Sequence, residues 1–197
     1  QQPQSDFCPG LVVPQESECI LVVPARPLSP GFAVASLDGQ QVLRVAGLEP
    51  RGAEGEEAGA RPEPRRLFAL ETPQGTHLAS CCTGQADPKL RPRGGQDAVL
   101  FGSSEIPHYF YFDEELRQFL ITGPSGTRLL RFRRTSDADV LSISSEAGKT
   151  VATAKMCAAS AGGPNGNCYC VRVAPLTDVG LVLSGLLCIS HLGEAAA

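Results

Sequence analysis

Four arginines crowd one short stretch of this sequence, "GTRLLRFRR", as Arg128, Arg131, Arg133 and Arg134. Side chains alternate across a β-strand, so Arg131 and Arg133 share the face opposite Leu130 and Phe132. Two guanidinium forks on one face match the geometry of a phosphate or a carboxylate. The cluster is therefore the leading candidate for holding an anion, either a phosphoinositide or other anionic membrane surface, or an acidic protein partner. The plainer reading is a solvated strand face balanced by Asp137, Asp139 or Glu114. A second basic stretch, Lys89, Arg91 and Arg93, falls in a Pro-rich loop, and both stretches at one mouth of a barrel would make a phosphoinositide site.

The eight cysteines point to less. Cys168 and Cys170 stand two apart and face the same way on a strand, whereas Cys81 and Cys82 are adjacent and face opposite ways. Neither pair is C-x-x-C, and the close ligand spacings of zinc sites are absent, so no metal ligand and no cofactor are assigned. Most of the thiols read as reduced and buried, acting as small hydrophobes, and a disulfide between distant strands stays open. The three histidines, His77, His108 and His191, accompany no G-x-S-x-G elbow, and there is no G-x-G-x-x-G opening a helix and no P-loop. No catalytic residue is assigned, and the expectation is a non-enzyme. In "YFYFDEEL", residues 109–116, the aromatics suit a ligand stack or a barrel strand with both faces in contact. The acidic turn that follows would repel nucleic acid, so no nucleic-acid partner is expected.

These groups must be positioned by short strands. Before residue 176 no long segment has a helical period, and β-rich runs are separated by Gly, Pro, Asp and Ser. Asp38-Gly39 predicts a tight hairpin, and further turns are expected at Pro73-Gln74-Gly75, Pro124-Ser125-Gly126 and Ala147-Gly148. The count is about 10–12 strands, and a sheet of that size removes its edges by closing.

The chain's most apolar stretch comes last, "VGLVLSGLLCISHL", Val179–Leu192. It is shorter than the roughly 20 residues that span a bilayer. No transmembrane span is expected. Thr177 and Asp178 can cap its start, and Gly193 can end it. It has no wide polar stripe, so it must be surrounded, and Gly180, Ser184 and Gly185 give it a slim side. A closed antiparallel β-barrel around this central C-terminal helix satisfies both the strands and the helix. The domain then runs over residues 18–193, with a mobile insertion at 49–66, an N-terminal extension at 1–17 and a tail at 194–197.

A net charge of -4 over 197 residues gives no general pull toward polyanions, so any basic site is local. With 42% hydrophobic residues the chain is expected to fold. It opens at Gln1 without a charged and then apolar leader, which reads either as a processed product whose leader has been removed or as a truncated start. The absence of an Asn-x-Ser/Thr sequon and the thiol content suggest an intracellular protein, cytoplasmic or organellar.

The opening "CILVVPARPLSPGFAVASLDGQQVLRV" and the late segments "GTRLLRFRR", "VLSISSEAGKTVATAK" and "CYCVRVAPLTDVGLVLSGLLCIS" resemble the tubby-like superfamily, in particular its LURP-one-related and phospholipid-scramblase-like branch. The resemblance covers most of residues 18–193. It implies a closed antiparallel barrel around a hydrophobic C-terminal helix. Tubby proteins bind phosphoinositides through basic residues, but those positions do not align residue by residue with this chain, so lipid binding through Arg128, Arg131, Arg133 and Arg134 rests on the cluster itself and is the alternative function. Scramblases add a calcium-binding segment, and no stretch here has that Asp/Asn/Glu spacing. The expected function is a non-catalytic structural or protein-interaction module, a subunit that docks on a larger assembly.

Overall fold

A computed structural model of the chain describes residues 7–25, 31–47, 66–83, 98–137, 139–157 and 167–192. The insertion expected at 49–66 lies outside the described residues except for Arg66, as do Lys89, Arg91, Arg93, Gly193, the tail and residues 1–6.

Twelve strands follow one another in the chain: β1 Cys19–Pro24, β2 Gly31–Ser36, β3 Gln41–Ala46, β4 Arg66–Glu71, β5 His77–Thr83, β6 Ala98–Phe101, β7 Pro107–Asp113, β8 Gln118–Thr122, β9 Arg128–Arg134, β10 Val140–Ser145, β11 Thr150–Cys157 and β12 Cys168–Val173. Each pairs antiparallel with its sequence neighbours, and β1 pairs with β12 to close the barrel. Register shifts in β2, β4, β8 and β10 supply local bends of the kind that let a sheet curl shut. The expected hairpins form where glycine supplies a left-handed backbone. Gly39, Gly75, Gly126 and Gly148 all have φ between 79° and 88°.

The helix α1, Val179–Leu192, runs inside the barrel. Every residue from Val179 to Cys188 is buried, and only toward the last turn does the helix reach solvent, at His191. Fourteen residues at 1.5 Å give about 21 Å, close to the length of a six- or seven-residue strand, so the helix spans the wall's height. A barrel of this many strands is too wide for its own side chains to fill, and a helix about 10 Å across occupies the space.

The slim side of the helix meets specific neighbours. A Cβ at Gly180 would lie 2.6 Å from Cys8 Sγ, and one at Gly185 would overlap the Phe132 ring of β9. Between these two positions around the helix, Cys188 Sγ stands 3.5 Å from Cys81 Sγ on β5. Around the helix pack inward residues from the wall, including Leu21, Leu43, Phe68, Phe110 and Ile143.

Part of the segment ahead of β1 also enters this core. Phe7, Cys8 and Val13 are buried with the barrel residues. This strap crosses the mouth where α1 begins. Cys8 N–H donates to Asp178 Oδ2 at 2.7 Å, while Asp178 Oδ1 accepts from Leu181 N–H at 3.1 Å, so one carboxylate caps the helix and anchors the strap. Val13 N–H donates to the Thr177 carbonyl, and Leu176, held at φ 61°, donates back to the Val13 carbonyl. Ser103 N–H donates to the Phe7 carbonyl, and Phe7 meets His108 edge-on with ring centroids 5.1 Å apart.

Candidate functional site

The arginine cluster is resolved by the geometry of β9. Inward Leu130 and Phe132 are buried, and Arg131 and Arg133 face outward as the alternation requires. Arg128 and Arg134 stand at opposite ends of a seven-residue strand, about 20 Å apart, so they lie at different mouths. The four guanidinium groups do not converge.

Arg131 is committed to the fold. Its Nη2 donates to the carbonyls of Glu146 at 2.7 Å and Ser145 at 3.3 Å, capping the β10–β11 turn. Its Nε is buried with no hydrogen-bond partner. Leu120, its cross-strand neighbour on β8, also faces outward yet is fully buried, flanked by Arg131 and by Tyr111 of β7. Neither Asp137, Asp139 nor Glu114 is the partner that holds Arg131 in place; backbone carbonyls are.

Arg133 is exposed, and its row across the outer wall is readable from the register. It pairs with Ser142, which pairs with Thr153, which pairs with Arg172. Lys155, exposed, lies two residues along from Thr153 on the same face. Arg172 makes a 3.7 Å ion pair with Glu18, both side chains being about half exposed or more (60% and 49%). Such a pair adds little stability and leaves the guanidinium available to an added anion. The outer cationic row of Arg133, Arg172 and Lys155 was not visible in the sequence, because it joins residues through three strand pairings.

The aromatic run splits by face. Phe110 is buried inward and stacks on Phe119 at 5.5 Å, Phe112 also contacts Phe119, and Tyr109 and Tyr111 face outward, half-buried. It is a wall strand with contacts on both sides. Of the histidines, His108 is buried with Nδ1 3.0 Å from the Ile106 carbonyl, His77 is exposed at the start of β5, and His191 is exposed at the end of α1.

Six of the eight thiols fall into two sets, Cys19 and Cys82 standing apart from both. Cys8, Cys81 and Cys188 are buried at the helix, where burial first, and then the Asp178 charge, pushes the Cys8 thiol up to about 12. Burial and the neighbouring Cys188 likewise push Cys81 well above its ordinary value. Cys157, Cys168 and Cys170 are half-buried on the outer wall, with Cys157 directly opposite Cys168 in register. Cys168 and Cys170 share a face, and Cys81 and Cys82 lie on opposite faces, as the spacing requires. Cys157 joins the first pair only through strand pairing, since a ten-residue connection, 158–167, hides its register. Among the described residues no three His, Cys, Asp or Glu side chains are arranged to hold a metal ion.

No helix among the described residues is long and apolar enough to cross a membrane. No family model matches the chain, and no curated protein matches it. The chain is similar in structure to an X-ray structure of a protein from Arabidopsis thaliana, with a TM-score of 0.59 over 98% of this chain and 99% of that one. Their sequences are 11% identical, so the likeness concerns the fold.

Proposed function

We propose that this chain is a non-catalytic tubby-like barrel of the LURP-one-related and scramblase-like branch, working as a structural or protein-interaction module within a larger assembly. The observation that carries this reading is the occupied interior. Antiparallel barrels hold small ligands in their lumen, and here α1 fills that space down to contacts at Gly185 with Phe132 and at Cys188 with Cys81. Recognition is left to the outer wall and the two mouths. Crosslinking the tagged chain in native extract tests it: one partner should be recovered in fixed ratio, equally by wild type and by Arg133→Glu/Arg172→Glu. Recovery of the chain alone, at its monomer mass, overturns the reading.

A second reading, binding to phosphoinositide or another anionic lipid surface, is supported by the exposed row of Arg133, Arg172 and Lys155. Within the original cluster, Arg133 is the member that this row retains, since Arg131 is engaged by carbonyls and Arg128 and Arg134 diverge. Co-sedimentation with phosphoinositide vesicles at two salt concentrations decides it. Binding lost in Arg133→Glu/Arg172→Glu and weakened by salt favours the lipid reading. Binding that is absent in the wild type eliminates it.

A further inference from the structure

Cys157 and Cys168 are Cα partners on neighbouring antiparallel strands, and both side chains point away from the core. Directly opposed residues have Cα atoms about 4.5–5.5 Å apart, inside the span that a disulfide bridges. The Cys168 sulfur leans across the rung toward β11, whereas the Cys157 sulfur leans back along its own strand. Cys168 S–H donates to the Cys157 carbonyl at 3.6 Å, and Cys157 S–H donates to the Lys155 carbonyl, also at 3.6 Å. The next rung on this face pairs Lys155 with Cys170. Three thiols and an exposed ammonium thus share one patch of the outer wall, at the mouth where α1 ends.

We propose that Cys157 and Cys168 are a reversible redox pair, oxidised to a cross-strand disulfide by small-molecule disulfides such as glutathione disulfide. The Cys168 thiol loses its proton to solvent, and the thiolate attacks one sulfur of the oxidant, releasing one thiol and leaving a mixed disulfide. The Cys157 thiolate then attacks Cys168 Sγ and expels the second thiol. In balance, two protein thiols and one small disulfide give one protein disulfide and two small thiols.

Two features separate this pair from its neighbours. Cys81 and Cys188 are nearer, at 3.5 Å, but both are fully buried, and an oxidant reaches them only by opening the barrel. Cys168 and Cys170 sit on one strand, about 6.5–7 Å apart by strand rise, at the edge of what a disulfide spans. Cys157 and Cys168 combine opposed register with access. Partial burial, together with the other two thiols, raises the Cys168 pKa, so attack is slow near neutrality and quickens with pH. Lys155, exposed on the next rung, presents its positive charge to the carboxylates of an approaching glutathione disulfide.

The full chain, incubated with glutathione disulfide under mildly alkaline conditions, is quenched by alkylation and read by intact mass and by non-reduced peptide mapping. The expected wild-type product has lost two hydrogens and links Cys157 to Cys168, and dithiothreitol reverses it. Cys157→Ser should stop at a single glutathione adduct on Cys168, and Cys170→Ser should still form the bond. Lys155→Glu should slow the reaction severalfold. Circular dichroism on each variant checks that the barrel is intact. A wild type that stays reduced, accumulates the mixed disulfide, or links another pair overturns the proposal.

Discussion

Arg131 shows how a residue that looks like a ligand group can belong to the fold. Its two carbonyl bonds close the β10–β11 turn, and its stem flanks outward-facing Leu120. Arg131→Ala should therefore cost about 1–2 kcal/mol in urea denaturation, because two charge-assisted bonds, one part-buried and one exposed, are lost. Arg133→Ala, on the open wall, should stay within about 0.5 kcal/mol. Equal losses for the two would contradict the capping role. Cys8 makes a prediction of opposite character, in pH. Its folded pKa, raised from 9.0 to about 12, means that folded and unfolded thiols are both protonated below about pH 9. Above that the unfolded thiol ionises first, so stability is full at lower pH and falls as pH rises toward the folded value. Urea midpoints at about pH 8 and about pH 10.5 should differ less in Cys8→Ala than in wild type. An unchanged difference would mean that Cys8 ionises freely in the folded chain.

At the level of elements, the helix and wall fit each other through missing side chains. In a solvent-exposed helix, Gly→Ala gains about 1 kcal/mol. At Gly185 the added methyl would overlap the Phe132 ring, and overpacking of this kind costs about 1–3 kcal/mol, so Gly185→Ala should be net destabilising. Phe132→Leu should recover part of that loss, making the double variant more stable than the two single effects sum to. Strict additivity in denaturation would show that the two do not touch. The need for a slim side was legible in the sequence, because Gly180, Ser184 and Gly185 recur along an otherwise bulky segment. The ring that fills it was not, since no local pattern ties residue 185 to residue 132. The same division runs through the sheet. Hairpins at Gly39, Gly75, Gly126 and Gly148 were legible because their turns require a backbone that glycine supplies. The fate of Arg131 and the meeting of Cys157 with Cys168 depend on register, which no local pattern displays.

The whole molecule has two unlike mouths, and this asymmetry follows from its simple up-and-down order. The β2–β3, β4–β5, β6–β7, β8–β9 and β10–β11 turns, all short, open on the mouth where α1 begins, and residues 7–13 cross it. The longer connections, 25–30, 47–65, 84–97 and 158–167, join strand ends at the other. The covering strap is the part of the architecture least visible in the sequence, for it is short, irregular and without period. Its burial rests on three side chains, Phe7, Cys8 and Val13, and on polar bonds to Asp178, Thr177 and Ser103. A segment held this way opens before the barrel does, since few apolar contacts secure it against local unfolding. Phe7→Ala should remove about 3–5 kcal/mol of packing, more than such a strap can lose and stay docked. Iodoacetamide should then label Cys8 rapidly, while Cys81 and Cys188, deeper between β5 and α1, remain protected. If all three thiols instead react together, strap and barrel unfold as one unit, and the strap is as integral to the core as any strand.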